Sequence, residues 1–233
     1  MNTQRGTRAG FLLLAVAVLG GSCTREPERV LEEAFRLWRT GNYSEAVEQF
    51  HAFSLRFPKT SFAPKALYLA AGGYASQLHD YPRAVSAYLS LARKYPSTDL
   101  APEALKKVGD LHRQRLGDLR KAILYYGMVT EQYRRSPQAA ESQYLIAESY
   151  MELRQYDQAR VEYLQAAKDY PKSRFVPLAY YQVANSYYAE SDCSEAGRYY
   201  ARVVDDFPNH ALAADARVEK TSCGRSVRPA IQQ

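Results

Sequence analysis

The sequence predicts an all-α solenoid of five helical hairpins stacked in a row and closed by a C-terminal capping helix. Three observations predict it. An aromatic residue recurs at Phe57, Tyr95, Tyr133, Tyr170 and Phe207, at spacings of 38, 38, 37 and 37, and proline follows it in four of the five cases. Ala46, Ala84, Ala122, Ala159 and Ala196 repeat at the same spacings, as do Tyr43, Tyr81, Leu119, Tyr156 and Cys193, so three columns share one register. Within each unit the apolar residues step by three and four, which puts them on one helical face, and no stretch alternates with the period of two that a strand needs. The composition fits: 46% of the 233 residues are hydrophobic and 24% charged, ordinary for a folded chain and unlike a disordered one. Twenty Tyr stand against eight Phe and one Trp, which suits many half-buried positions, apolar in body and polar at the tip.

The first element is an address. Arg5 and Arg8 precede the apolar run 11–19, and Gly20, Gly21 and Ser22 lead to Cys23. This is the layout of a secretory signal peptide over 1–22. The run is too short to span a bilayer, which takes about 20 apolar residues. A cysteine directly after small residues resembles a bacterial lipobox, with Leu19 one place further out than the usual aliphatic residue. That resemblance implies a mature chain starting at a lipidated Cys23, with 23–26 as a short tether; the alternative is ordinary signal cleavage, since Gly20 and Ser22 also satisfy a small-x-small site. Thr24 replaces the Asp that retains such proteins at the inner membrane, so the resemblance implies the periplasmic face of the outer membrane. Loss of Arg5 and Arg8 takes the net charge from +6 to +4.

The five units follow over about 27–60, 61–97, 98–136, 137–172 and 173–209, with a cap at 210–222 and a disordered tail at 223–233. The first helix of each carries a small residue and a larger one three later: Ala34/Leu37, Ala71/Tyr74, Val108/Leu111, Ala147/Tyr150 and Ala184/Tyr187. A turn such as Thr40-Gly-Asn42 or His79-Asp80 leads to the second helix, whose Tyr43-Ala46-Phe50 and Tyr81-Ala84-Tyr88 lie on one face. Aromatic-Pro stops that helix. Thr60, Thr98 and Ser173 stand where the next N-cap belongs, and Pro64, Pro102 and Pro177 fall in the following first turn, where proline is tolerated. One hairpin cannot bury its apolar face alone, so the units stack. The last, His210-Ala-Leu-Ala-Ala-Asp-Ala216, opens a sixth first helix that has no second.

Ala34…Gly41-Asn-Tyr43…Ala46…Phe50…Pro58 resembles the tetratricopeptide (TPR) pattern. The resemblance covers roughly 27–222 and implies a right-handed superhelical array. Units of 37–38 residues joined by Tyr-Pro-x-Ser/Thr-x-x-x-Pro look like the repeats of bacterial envelope lipoproteins. These include the BamD-like outer-membrane assembly family, the Tol–Pal-associated CpoB type, and pilotins of pilus secretins. The resemblance implies a non-catalytic scaffold that docks protein or peptide segments during outer-membrane protein assembly. A secretin pilotin or a Tol–Pal/peptidoglycan coordinator is the alternative, and an enzyme a further one.

The residues offer little for catalysis. His51, His79, His112 and His210 have no His-x-x-x-His or Cys-x-x-Cys setting, so neither metal nor cofactor is expected. The positive charge is scattered, without the Lys/Arg block of a nucleic-acid footprint, and no small-molecule substrate is indicated. The TPR resemblance makes the groove lined by the first helices the binding surface. By register its candidates are Arg39, Tyr68, Lys106, Arg113, Tyr144, Tyr181, Gln182, Asn185 and Tyr188; the tyrosines equally suit sealing neighbouring hairpins. Lipidation at Cys23 would leave Cys193 and Cys223 as an even pair in an oxidising compartment. Cys193 starts a second helix and Cys223 ends the antiparallel cap, so the two are expected to form a disulfide.

Overall fold

The computed structural model describes residues 25–226, and among them every regular element is an α-helix. The hairpins are α1 (Arg25–Arg39) with α2 (Tyr43–Arg56), α3 (Ala63–Ser76) with α4 (Tyr81–Lys94), α5 (Leu100–Gln114) with α6 (Leu119–Gln132), α7 (Pro137–Glu152) with α8 (Tyr156–Asp169), and α9 (Phe175–Ala189) with α10 (Cys193–Asp206). The cap is α11 (Leu212–Ser226). The signal peptide and Cys23 lie outside the described residues. Two boundaries are corrected. Helix already starts at Arg25, inside the predicted tether, and α11 runs four residues into the predicted tail. No proline intervenes before Pro229 to stop it.

The turns repeat as closely as the helices. Within each hairpin one residue takes a left-handed φ: Gly41 at 82°, His79 at 54°, Gly117 at 66°, Arg154 at 56° and Ser191 at 65°. Glycine meets that need in only two of the five. The next residue caps the second helix. Asp80, Asp118 and Asp192 accept hydrogen bonds from the backbone N–H of Arg83, Lys121 and Glu195 at 3.0–3.1 Å. Those bonds hold the Asp118 carboxyl below its usual range, and at Asp80 the Arg83 side chain does so first. Between hairpins, the N–H of Thr60, Thr98, Ser136, Ser173 and His210 donates to the carbonyl of the aromatic three residues earlier, at 2.8–3.1 Å. Proline suits the second position of such a turn, and unit three forms it with Arg134 there. Thr60 and Thr98 are not N-caps: their hydroxyls donate back to the Phe57 and Tyr95 carbonyls. Phe62, Asp99 and Arg174 stand at the caps instead, without side-chain cap bonds.

The register of unit three also needs correcting. The capping N–H groups of Asn42, Asp80, Asp118, Gln155 and Asp192 donate to the carbonyls of Leu37, Tyr74, His112, Tyr150 and Tyr187. His112, not Leu111, is therefore the large residue of that column, and Gly109, not Val108, the small one. The turns of units two and three are one residue longer, which hid the shift. His112 is stacked on Tyr125 at 5.4 Å, as Tyr187 is on Tyr199 at 5.8 Å.

Packing explains why the small column is small. A Cβ on Gly109 would lie 2.4 Å from the Tyr126 ring; outside that column, one on Gly73 would lie 2.2 Å from Val47 of the preceding hairpin. Phe50, Tyr88, Tyr126, Tyr163 and Tyr200, one from each second helix, are at most 4% exposed. Each helix packs on the next, and α3 with α5, α5 with α7, α7 with α9 and α9 with α11 also touch; no two even-numbered helices do. The odd-numbered helices therefore form the inner, concave face. Buried Arg160 fastens units four and five, pairing with Asp157 and Glu190 while its guanidinium lies 4.2 Å from the Tyr187 ring centroid.

Gly109→Ala should destabilise the protein by about 1–3 kcal/mol through overpacking. Gly127→Ala, where an added Cβ meets nothing within 4 Å, should stabilise by about 0.5–1 kcal/mol. Urea denaturation of both variants decides; equal midpoints would contradict the close-contact account.

Cys193 is disulfide-bonded. It opens α10, against which α11 packs; the Cys223 side chain lies outside the described residues. Proteolysis without reduction is expected to yield a peptide joining Cys193 to Cys223. Cys193→Ser should then cost roughly 3–4 kcal/mol for a closed loop of about 30 residues. A Cys193 peptide joined to Cys23 instead would rule the pairing out.

Candidate functional site

Two columns on the odd-numbered helices form the concave face. One is Tyr68, Lys106, Tyr144 and Tyr181. The other, one turn later, is Phe35, Gly72, Asp110, Glu148 and Asn185. The buried aromatics of the even-numbered helices reach the second column from beneath. Tyr126 donates to Asp110 at 2.9 Å, Tyr163 to Glu148 at 2.5 Å and Tyr200 to Asn185 at 2.6 Å. A buried phenol needs an acceptor for its O–H, and in these three units the column supplies one. Unit one has Phe50 in place of the tyrosine, and there the column holds Phe35, edge-on at 5.0 Å. Burial first, and then the facing carboxylates, push the phenol pKa values of Tyr126 and Tyr163 far above the ordinary range, so both remain donors.

Lateral bonds link neighbouring odd-numbered helices in three separate clusters, a discontinuous network spread from α5 to α9. Lys106 Nζ lies 3.2 Å from Asp110 and 3.1 Å from Glu141. Burial alone would lower its pKa; the two carboxylates outweigh that and hold the ammonium above its usual value. Arg113 pairs with Glu152 at 2.5 Å and with Glu148 at 3.6 Å. Gln138 donates to Glu103 at 2.9 Å, Gln182 to Glu148 at 3.1 Å and Asn185 to Gln182 at 2.7 Å. The result is a row of fixed charges and amides over a hydrophobic floor, suited to holding a chain by polar contacts.

The network includes four of the nine sequence-predicted groove residues. Lys106, Arg113, Gln182 and Asn185 belong to it. Tyr68 and Tyr181 are half-buried, edge-on to Tyr88 and Tyr200 at 5.5 Å each. Tyr144 is only 8% exposed and stacks on Phe175 at 5.3 Å, so it seals two hairpins. Arg39 is exposed at the end of α1, away from the network, and Tyr188, 45% exposed at the end of α9, is the most open aromatic of the set. Sequence reasoning missed Glu103, Asp110, Glu141, Glu148 and Glu152. The signal lay in the second column, where Asp110 and Glu148 line up once Gly109 replaces Val108 in the register. Among the described residues no group of three His, Cys, Asp or Glu could hold a metal ion, and no helix is long and apolar enough to cross a membrane.

Comparison with known proteins agrees with this geometry. Two family models, both described as the tetratricopeptide repeat, match residues 31–97 and 69–131 and residues 141–173 and 178–210. No curated protein matches in sequence. Among solved structures, a tetratricopeptide repeat protein from Parabacteroides merdae aligns with a TM-score of 0.60 at 16% identity, over 86% of this chain and 74% of that one. YrrB, described as a TPR protein with an unusual peptide-binding site, aligns at 0.55 and 16% identity, over 84% and 94%. PilF of Pseudomonas aeruginosa aligns at 0.53 and 12% identity, over 87% and 90%. At such identities the likeness is one of fold.

Glu148→Ala should destabilise by about 1–3 kcal/mol, because it strands the buried Tyr163 hydroxyl. Glu148→Gln keeps an acceptor and should cost less. In a Tyr163→Phe background the alanine penalty should shrink, and a double-mutant cycle with no coupling would show the bond to be idle.

Proposed function

Because this chain belongs to the tetratricopeptide repeat family, we propose that it is a non-catalytic scaffold docking a protein segment along the face of α5, α7, α9 and α11. Repeats of this family generally mediate protein–protein contact. The observation that carries the reading is the series of polar clusters from Glu103 to Asn185, which fixes polar groups of three successive hairpins on one open surface. Half-buried Tyr181 and open Tyr188 supply adjacent aromatic contacts of the kind that dominates interface energetics. We further propose, from the leader and Cys23, that the chain is lipid-anchored at the periplasmic face of the outer membrane. There it would serve outer-membrane protein assembly in the manner of the BamD-like lipoproteins.

A photocrosslinking residue at Tyr188 should trap an envelope assembly protein, while one at Leu124, exposed on the outer helix α6, should not. Trapping from Leu124 alone would move the binding face. Palmitate should label the wild type and not Cys23→Ala, and a label that survives the substitution would end the anchoring proposal.

A further inference from the structure

The charge of the concave face is opposite to that of the chain. The protein carries +6 overall, yet along the groove buried Lys106 and half-buried Arg113 are each shared by two carboxylates. Lys106 lies between Asp110 and Glu141, and Arg113 between Glu148 and Glu152. Each cluster therefore keeps an excess negative charge. Further along, the phenol pKa of Tyr181 is raised by burial and then by Glu219 and Asp215 of the capping helix, which packs on α9. Acidic spots thus recur from α5 to α11, with Tyr144 and Tyr181 between them.

We infer that the segment docked in this groove is an extended peptide carrying several lysine or arginine side chains, which meet the Lys106 and Arg113 carboxylate clusters and the acidic end at α11. The argument is charge complementarity, and it rests on the groove reading above. The outer carboxylates keep room for a second cation: the Glu141 and Glu152 side chains are 33% and 43% exposed, and an ionised carboxylate accepts up to about four hydrogen bonds. The half-buried Tyr181 ring offers a face over which a guanidinium or ammonium can lie. An acidic segment would meet like charge at each step, and a cation-free segment would leave the clusters' excess charge unanswered.

The test uses the full mature protein in detergent and three fluorescent peptides of about 15 residues, alternating Ser with Lys, Gln or Glu. The Lys peptide should bind roughly tenfold or more tighter than the Gln peptide, a difference of about 1.4 kcal/mol, and weaken as salt is added. The Glu peptide should not bind. Glu141→Gln with Glu152→Gln should weaken Lys-peptide binding about tenfold without loss of helicity, whereas Asp205→Asn with Asp206→Asn on α10 should leave it unchanged. Equal binding of the Lys and Gln peptides, or tighter binding of the Glu peptide, overturns the cationic partner while leaving the groove in place. The same follows if no peptide binds although Tyr188 still crosslinks a protein. Failure of both measurements removes the groove reading itself.

Discussion

The architecture depends on one contact, the aromatic side chain of each even-numbered helix lying on a small residue of its hairpin partner. At Gly109 and Tyr126 the approach leaves no space for even a methyl group, and alanine fills the same place at 34, 71, 147 and 184, each fully buried. A larger residue there would push the hairpin open, and the errors would accumulate along the stack because each unit is placed only by its neighbours. The same contact aims the phenol. With the ring clamped, the hydroxyl of Tyr126, Tyr163 or Tyr200 can emerge at only one place, beside the residue next in sequence to the small one. In units three to five the interaction that closes the core therefore also chooses which residue of the concave face must be polar; in unit two Tyr88 meets Gly72 in that column.

Curvature follows from unequal spacing. Odd-numbered helices touch their next odd neighbours and even-numbered ones do not, so the units fan outward over their second helices. The inter-hairpin turn keeps this constant, because its backbone bond recurs at all five junctions even where proline is replaced. Backbone geometry rather than proline sets the angle; proline removes alternatives.

Most of the fold was legible in the sequence because repetition averages out local accident: one aberrant residue does not hide a column seen five times. Legibility failed where units differ by one residue in turn length. Val108 and Leu111 have the apolar character of the columns next to them, so hydrophobic pattern alone could not detect the slip; the turn bonds to His112 and the clash at Gly109 could. The left-handed residues were half legible, since Gly41 and Gly117 announce themselves whereas His79, Arg154 and Ser191 take the same conformation with no glycine to signal it. The groove carboxylates were hidden for another reason. Asp110, Glu148 and Asn185 meet their tyrosines 16, 15 and 15 residues away, so their role exists only once the hairpin has closed. As sequence, an acidic residue on an amphipathic helix reads as solvated surface.

That origin makes the concave face rigid before any partner arrives. Glu148 takes a hydrogen bond from a fully buried tyrosine below, one from Gln182 at its side, and the charge of Arg113 from the preceding hairpin. It cannot turn away without stranding a buried hydroxyl, at about 1–3 kcal/mol. Asp110 is fixed in the same way between Tyr126 and Lys106. Side chains already held in one rotamer lose little entropy on binding, where a free surface glutamate would lose roughly 0.5–1.5 kcal/mol. The packing requirement that placed acceptors above the tyrosines thereby leaves a row of immobilised negative groups along the inner face. Any segment docking there meets charges whose ordering cost was met by the fold itself.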